Sequence, residues 1–177
     1  MHCKSNEFIR GGYYHIYNCA KNEGSLFHDD DDFMFFKETT RKNSGLRMNS
    51  IICWSLLPCF YHYLFRQNWI VPAYKVFKSA SRNYSNHYKS KYDLKGKLFN
   101  RIQHEKVNGY DHLLQICTDI HLMPVKHGFV DKPEDWKFSD YCQWIDNSEN
   151  QFRDEILNLS GEEYREKVIE KIDRVRK

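Results

Sequence analysis

The chain predicts an α+β domain, and three observations carry that reading. Segments with a two-residue apolar period alternate with segments of helical period. The length, 177 residues, is enough for one sizeable core but not for two. Only 4 Pro and 8 Gly accompany 41% hydrophobic and 29% charged residues, which excludes collagen-like, proline-rich and low-complexity chains.

The elements follow in order. Tyr13–Cys19 is rich in β-favouring residues and interleaves His15 and Tyr17 with apolar neighbours, so it predicts a strand after the Gly11-Gly12 turn. Asp29 to Asp32 precede Phe33, Phe35 and Phe36. Carboxylates there complement the bare N–H groups of a first helical turn, and that reading outweighs an acidic metal cluster. Residues 48–57 and 61–67 suit two neighbouring strands, with Pro58 in the connection because a central strand cannot spare its N–H. Residues 73–92 predict a helix through Tyr74, Phe77, Tyr84, Tyr88 and Tyr92, ended by the turn at Gly96. Residues 97–107 are extended or irregular, and Tyr110, Leu113, Leu114, Cys117 and Ile120 form one face of a helix expected to stop near Pro124. Gly128 turns the chain toward a short segment, 136–145.

After residue 146 the composition shifts to dense mixed charge. Ser160 with Glu163 is a capping-box signal, and Tyr164, Val168, Ile172 and Val175 make a narrow stripe on a mostly exposed helix docked on the domain or on a partner. We therefore divide the chain into a domain, 10–146, and a charged helical extension, 147–177.

Bulk properties exclude several functions. Mean hydropathy is −0.77, and the most apolar stretch, 51–65, is broken by Ser55, Pro58 and His62, short of the roughly 20 residues needed to span a bilayer. The first residues, with His2, Cys3, Lys4, Asn6 and Glu7, lack the apolar run of a secretory signal. A cytoplasmic setting with no membrane partner is expected. The six cysteines (Cys3, Cys19, Cys53, Cys59, Cys117 and Cys142) show no zinc-ribbon spacing and read mostly as buried thiols. No phosphate loop or nucleophile elbow occurs.

The charge is uneven. Residues 75–106 hold nine basic side chains (Lys75, Lys78, Arg82, Lys89, Lys91, Lys95, Lys97, Arg101 and Lys106) against Asp93 and Glu105, while the whole chain nets only +3. Cations interleaved with Tyr84, His87, Tyr88, Tyr92 and Phe99 suit a phosphate backbone with unpaired bases. A solvated helix face over a tyrosine stripe is the plainer alternative. We expect Lys75, Lys78, Arg82, Lys89, Lys91, Lys95, Lys97 and Arg101 to meet phosphates and Tyr88 and Phe99 to stack.

Several stretches together resemble one family. Residues 12–18 (Gly-Tyr-Tyr-His-Ile-Tyr-Asn), Leu57-Pro58 before His62, Tyr92 with residues 96–100, and above all residues 120–130 and 133–141 resemble the REP-associated tyrosine transposases. These belong to the HUH single-tyrosine transposases of bacterial insertion sequences. The likeness runs from about Gly12 to Ile145. It implies a ferredoxin-like βαββαβ core, an antiparallel sheet with helices on one face plus extra C-terminal helices. It further implies a single-stranded or hairpin DNA ligand and DNA transposition through a 5′-phosphotyrosine, in a bacterial, nucleoid-associated setting.

Such chemistry needs two histidines one residue apart on a strand to hold a divalent ion, a tyrosine nucleophile on a helix, and a polar ligand four residues later on the same face. Matched to the family, those places are Phe60, His62, Asp119 and Met123. Phenylalanine cannot ligate a metal, and a thioether suits a hard cation poorly. The expectation is a DNA-binding pseudoenzyme of the transposase family with no catalytic residues and no cofactor. One alternative is a metal-dependent nuclease with a rearranged site at His62, Asp119 and His121, with Cys59 as an optional further ligand, which would need Mg or Mn. His62 alone reads more simply as a hydrogen-bonded core histidine. A second alternative is a protein-interaction module or decaying remnant with no DNA role. Tyr84 and Tyr88 could serve as substitute nucleophiles, but nothing beside them in the sequence supplies a metal. Expected partners are single-stranded or hairpin DNA and a second copy in a homodimer.

Overall fold

The computed structural model describes residues 8–21, 24–45, 49–146 and 152–175, the last three of these by backbone only. The residues named above at positions 2–7, position 48 and the side chains after Ile172 lie outside it. Four antiparallel strands, β1 (Tyr13–Cys19), β2 (Asn49–Leu57), β3 (Phe60–Gln67) and β4 (Gln103–Val107), form one sheet in the order β2-β3-β1-β4. Helices α1 (Asp30–Ser44) and α2 (Tyr74–Tyr92) follow β1 and β3 in the chain. Together these elements are the βαββαβ core that was expected.

Side-chain parity on the strands decides everything else. Tyr14 and Ile16 of β1 and Tyr61, Tyr63 and Phe65 of β3 point to α1 and α2, where they join Phe27, Phe33, Phe36, Phe77 and Tyr84 in an aromatic core. Asp29 caps α1 by accepting from Asp32 N, so the acidic run is a helix start. Asp32 itself is buried and takes Lys91 Nζ at 3.0 Å and Tyr92 OH at 2.7 Å from the end of α2.

The opposite sheet face is covered by α3 (Tyr110–Lys126), with α4 (Tyr141–Ile145) and α5 (Gly161–Val175) behind it. Helix α3 does not stop at Pro124 but runs through it for two more residues. A proline so near the end forfeits little, because the last turn is closed by Phe129 N donating to Pro124 O and Gly128 N to Val125 O. The C-terminal helix is mostly exposed and docks on the domain through its narrow stripe. Tyr164 and Val168 are fully buried among α3 and α4 residues, so α5 completes the second core. The Ser160–Glu163 capping box forms in both directions, at 2.7 and 3.2 Å. At Gly161 a Cβ would come within 2.7 Å of Ile145 O, which is why a glycine opens the helix there.

Residues 136–140 run along the free edge of β2. Leu56 N donates to Phe138 O, and Trp136 Nε1 donates to Leu56 O at 2.9 Å. That edge is thereby covered, whereas the outer edge of β4 carries the charged Glu105 and Lys106. The basic stretch 97–107 is thus partly ordered, its last five residues being β4. Of the five described cysteines, Cys53 and Cys117 are buried, Cys59 is intermediate and Cys19 and Cys142 are exposed, fewer buried than expected. Among the described residues no helix is long and apolar enough to cross a membrane.

Candidate functional site

Three of the four positions matched to the family meet on the second sheet face. Phe60 and His62 on β3 and Met123 on α3 line one cleft of about 600 Å3, with Tyr17, Asn18 and Cys19 of β1, Asn100, Arg101, Gln103 and His127. Asp119 lies one turn before Met123 on α3 but does not serve the cleft as a free carboxylate. It pairs with Lys126 and, through Oδ2 at 3.0 Å, with Lys171 of α5. Burial would raise its pKa, but the two lysines outweigh this and hold the carboxyl below the usual range. It is a strut between α3 and α5.

The rearranged metal site of His62, Asp119 and His121 does not assemble. His121 is fully buried, with Nδ1 2.7 Å from Tyr164 OH and Nε2 3.0 Å from Asp140 Oδ1. Both ring nitrogens are spent on this network, which Asp140 extends by accepting from Trp54 N at 2.8 Å and Trp144 Nε1 at 3.3 Å. Cys59 is not on the cleft wall. Among the described residues no group of three or more His, Cys, Asp or Glu side chains is placed to hold a metal ion.

His62 is both things weighed for it, a hydrogen-bonded histidine and a cleft residue. Its Nδ1 lies 2.9 Å from His15 Nε2, and His15 Nδ1 lies 2.8 Å from Glu105 Oε1. The Tyr17 ring stacks on His62 at 5.2 Å and within 3° of parallel. Burial drives the His62 pKa down to about 3, with His15 and His127 adding to the effect and Asp119 opposing it. Burial lowers His15 as well, against the pull of Glu105. His15, Tyr17 and Glu105 were not singled out from the sequence. The signal was there: residues 13, 15, 17 and 19 share one face of β1, as 60 and 62 do on β3. What was missing was the pairing of Tyr17 with His62 and of His15 with Glu105 across strands.

The basic stretch forms a surface. Lys89, Lys95 and Lys97 line a hollow of about 310 Å3 together with Lys21, which the sequence reading missed. Lys78 and Arg101 line a second, of about 360 Å3, beside Tyr74 and His104. Lys75 and Arg82 stand exposed on α2. None of these seven expected contacts has a carboxylate partner among the described residues, in contrast to Lys91, which is taken by Asp29 and Asp32.

Of the two expected stacking residues, Tyr88 is corrected. Tyr88 is buried, its hydroxyl bound between His28 Nε2 and Ser25 O. Phe99 is half-buried against Phe36, Tyr61 and Tyr84. Tyr88 is thereby taken by the aromatic core, whereas Phe99 packs on that core and also lines the second hollow beside Lys78 and Arg101. Tyr84 fails as a nucleophile for the same reason: it is fully buried, donates to Leu26 O, and burial pushes its pKa far up.

Fold and site together define an α+β protein with a four-stranded antiparallel sheet, a cleft between sheet and α3, and a basic flank. The structure is similar to that of a REP-associated tyrosine transposase bound to a REP hairpin, with a TM-score of 0.64 and 21% identity over 78% of this chain and 81% of that one. At that identity the likeness is one of fold. No family model matches the sequence, and no curated protein matches it.

Proposed function

We propose that this protein is a DNA-binding relative of the REP-associated tyrosine transposases that holds single-stranded or hairpin DNA on its basic flank and does not cleave it. The observation that carries this reading is the run of uncommitted cations, Lys75, Lys78, Arg82 and Lys89 on α2 and Lys95, Lys97 and Arg101 on the segment joining α2 to β4, of which Arg101 reaches the cleft. A transposase-like neighbour that binds a DNA hairpin supports it. Loss of strand cleavage follows from the residues at the four family positions. Phe60 and Met123 offer no hard ligand, and Asp119 is a paired carboxylate where a phenol would have to attack phosphorus. On this reading no cofactor is required. A bacterial cytoplasm, nucleoid DNA and a homodimeric state belong to the same proposal.

The test is a binding titration on labelled hairpin DNA at several salt concentrations. Affinity should fall steeply with salt, since each neutralised phosphate releases counterion, and Lys97→Glu with Arg101→Glu should abolish most of it. Absent or salt-insensitive binding overturns the reading. Incubation of the same DNA with the protein and Mg or Mn should give neither a cut strand nor a covalent adduct. An adduct would overturn the loss of catalysis, and cutting without one would restore the metal-nuclease alternative.

A further inference from the structure

We propose that the cleft at the former catalytic position is a pocket for one unpaired nucleobase, in which His62 Nε2 accepts a hydrogen bond from an exocyclic amino group and Tyr17 supplies the stacking ring. This rests on the DNA-binding reading and names what the cleft itself would hold.

The polar half of the argument is a chain of three side chains. The Glu105 carboxylate is acceptor-only when ionised, so the His15 nitrogen 2.8 Å away, Nδ1, is the one that carries hydrogen. In a neutral imidazole the other nitrogen is then an acceptor. His15 Nε2 faces His62 Nδ1 at 2.9 Å, which makes His62 Nδ1 the donor. This assigns the remaining nitrogen, His62 Nε2, an unshared lone pair with no partner among the described residues, on a ring that lines the cleft. Burial keeps both imidazoles neutral at physiological pH, against Glu105 on β4 and Asp119 on α3 and with His112 and His127 reinforcing it.

The apolar half is the replacement of two metal-shell positions by packing groups. Phe60 sets its edge against His62 at 5.4 Å and against His127 at 4.7 Å, and Met123 closes the wall from α3. Around one nitrogen this leaves a soft, ring-lined surface. A single neutral imidazole is a weak anchor for a hard cation. A flat, amine-bearing ring suits it better, because it can stack while its amine donates. The cleft volume, about 600 Å3, is ample for a base. Arg101 and the amides of Asn100 and Gln103 stand at the same cleft. Lys97, four residues before Arg101, belongs to the lysine hollow, so the chain linking the two is short enough for one strand of DNA to reach both.

Binding is compared in EDTA for four probes: a blunt hairpin, the hairpin with a three-adenine tail, that tail with an abasic central position, and that tail with unsubstituted purine there. The tail is expected to tighten binding by roughly tenfold to a hundredfold, the range for stacking one base on an aromatic side chain. The abasic probe should lose this gain, and purine, which lacks only the amine, should keep part of it. In His62→Phe the adenine-to-purine affinity ratio should fall to one. That ratio is taken on one protein sample, so a partly unfolded variant does not distort it. Equal binding of blunt and tailed hairpins, an abasic tail as good as adenine, or an adenine-to-purine ratio of one in the unaltered protein overturns the pocket while leaving the basic-surface reading intact. Failure of every probe, the blunt hairpin included, overturns that underlying reading and the pocket with it.

Discussion

The two faces of the sheet use the same residue types to opposite ends. Toward α1 and α2, tyrosines and phenylalanines are packed to completion, and each buried hydroxyl that reaches a partner ties one element to another, as Tyr84 does with Leu26 and Tyr88 with Ser25. Toward α3, the rings of Tyr17, Phe60, His62 and His127 leave space between them, and polar groups form two short networks, Glu105–His15–His62 and Tyr164–His121–Asp140. The first network ends in the cleft and the second ends in the core. An abundance of tyrosine is therefore no guide to chemistry in this molecule, whereas an interrupted packing face is.

The contrast can be broken at several points. The largest effect is expected on the packed face: Phe77→Ala, at a fully buried position touching Tyr61, Tyr63 and Phe65, should cost about 4 kcal/mol in urea unfolding. A cost under about 1 kcal/mol would mean the aromatic core is not tightly packed. On the other face, Asp140→Ala removes the shared acceptor of Trp54 N, His121 and Trp144 and should cost about 3 kcal/mol without altering DNA affinity in the folded protein.

Acid should act on the cleft face more than on the packed one. The His62 pKa is depressed from its ordinary 6.5 to about 3, so the folded state binds fewer protons than the unfolded chain. That contribution is fully present above pH 6.5 and is lost as pH falls toward 3. By pH 5 the loss amounts to about 2 kcal/mol. Thermal unfolding followed from pH 7 to 5 should show this loss, and His62→Phe should flatten the profile. An unflattened profile would put the titration elsewhere.

Smaller effects separate structural from binding charges. Asp119→Asn breaks the pairs with Lys126 and Lys171 but on a partly exposed helix end, so about 1 kcal/mol or less is expected, with hairpin binding unchanged. Lys97→Ala and Lys91→Ala make the finest comparison. The first should reduce the salt slope of DNA binding by about one. The second, whose ammonium is held by Asp29 and Asp32, should leave that slope as it was.

Much of this was legible in the residues. Sequence pattern placed β1, α1, β2, β3, α2 and α3, with β4 read only as extended or irregular, the Ser160–Glu163 pair marked the start of α5, and Phe60, His62 and Met123 do meet in one cleft. The narrow stripe of α5 marked a mostly exposed, docked helix, but a stripe one residue wide per turn does not say whether the domain or a partner covers it. Tyr88 was misread because a tyrosine among lysines has the same sequence pattern whether it stacks on DNA or on its own core.

Local pattern by itself determined what each segment becomes and where the cations lie along the chain, since periodicity, capping and charge are properties of near neighbours. Tertiary structure alone decided which of those groups are free. Lys91 and Asp119 are consumed by partners some 50 to 60 residues away, and His62 owes its open nitrogen to His15 and Glu105 on two other strands. A side chain's availability depends on what the fold sets opposite it, and strand pairing and helix docking bring those partners from distant parts of the chain.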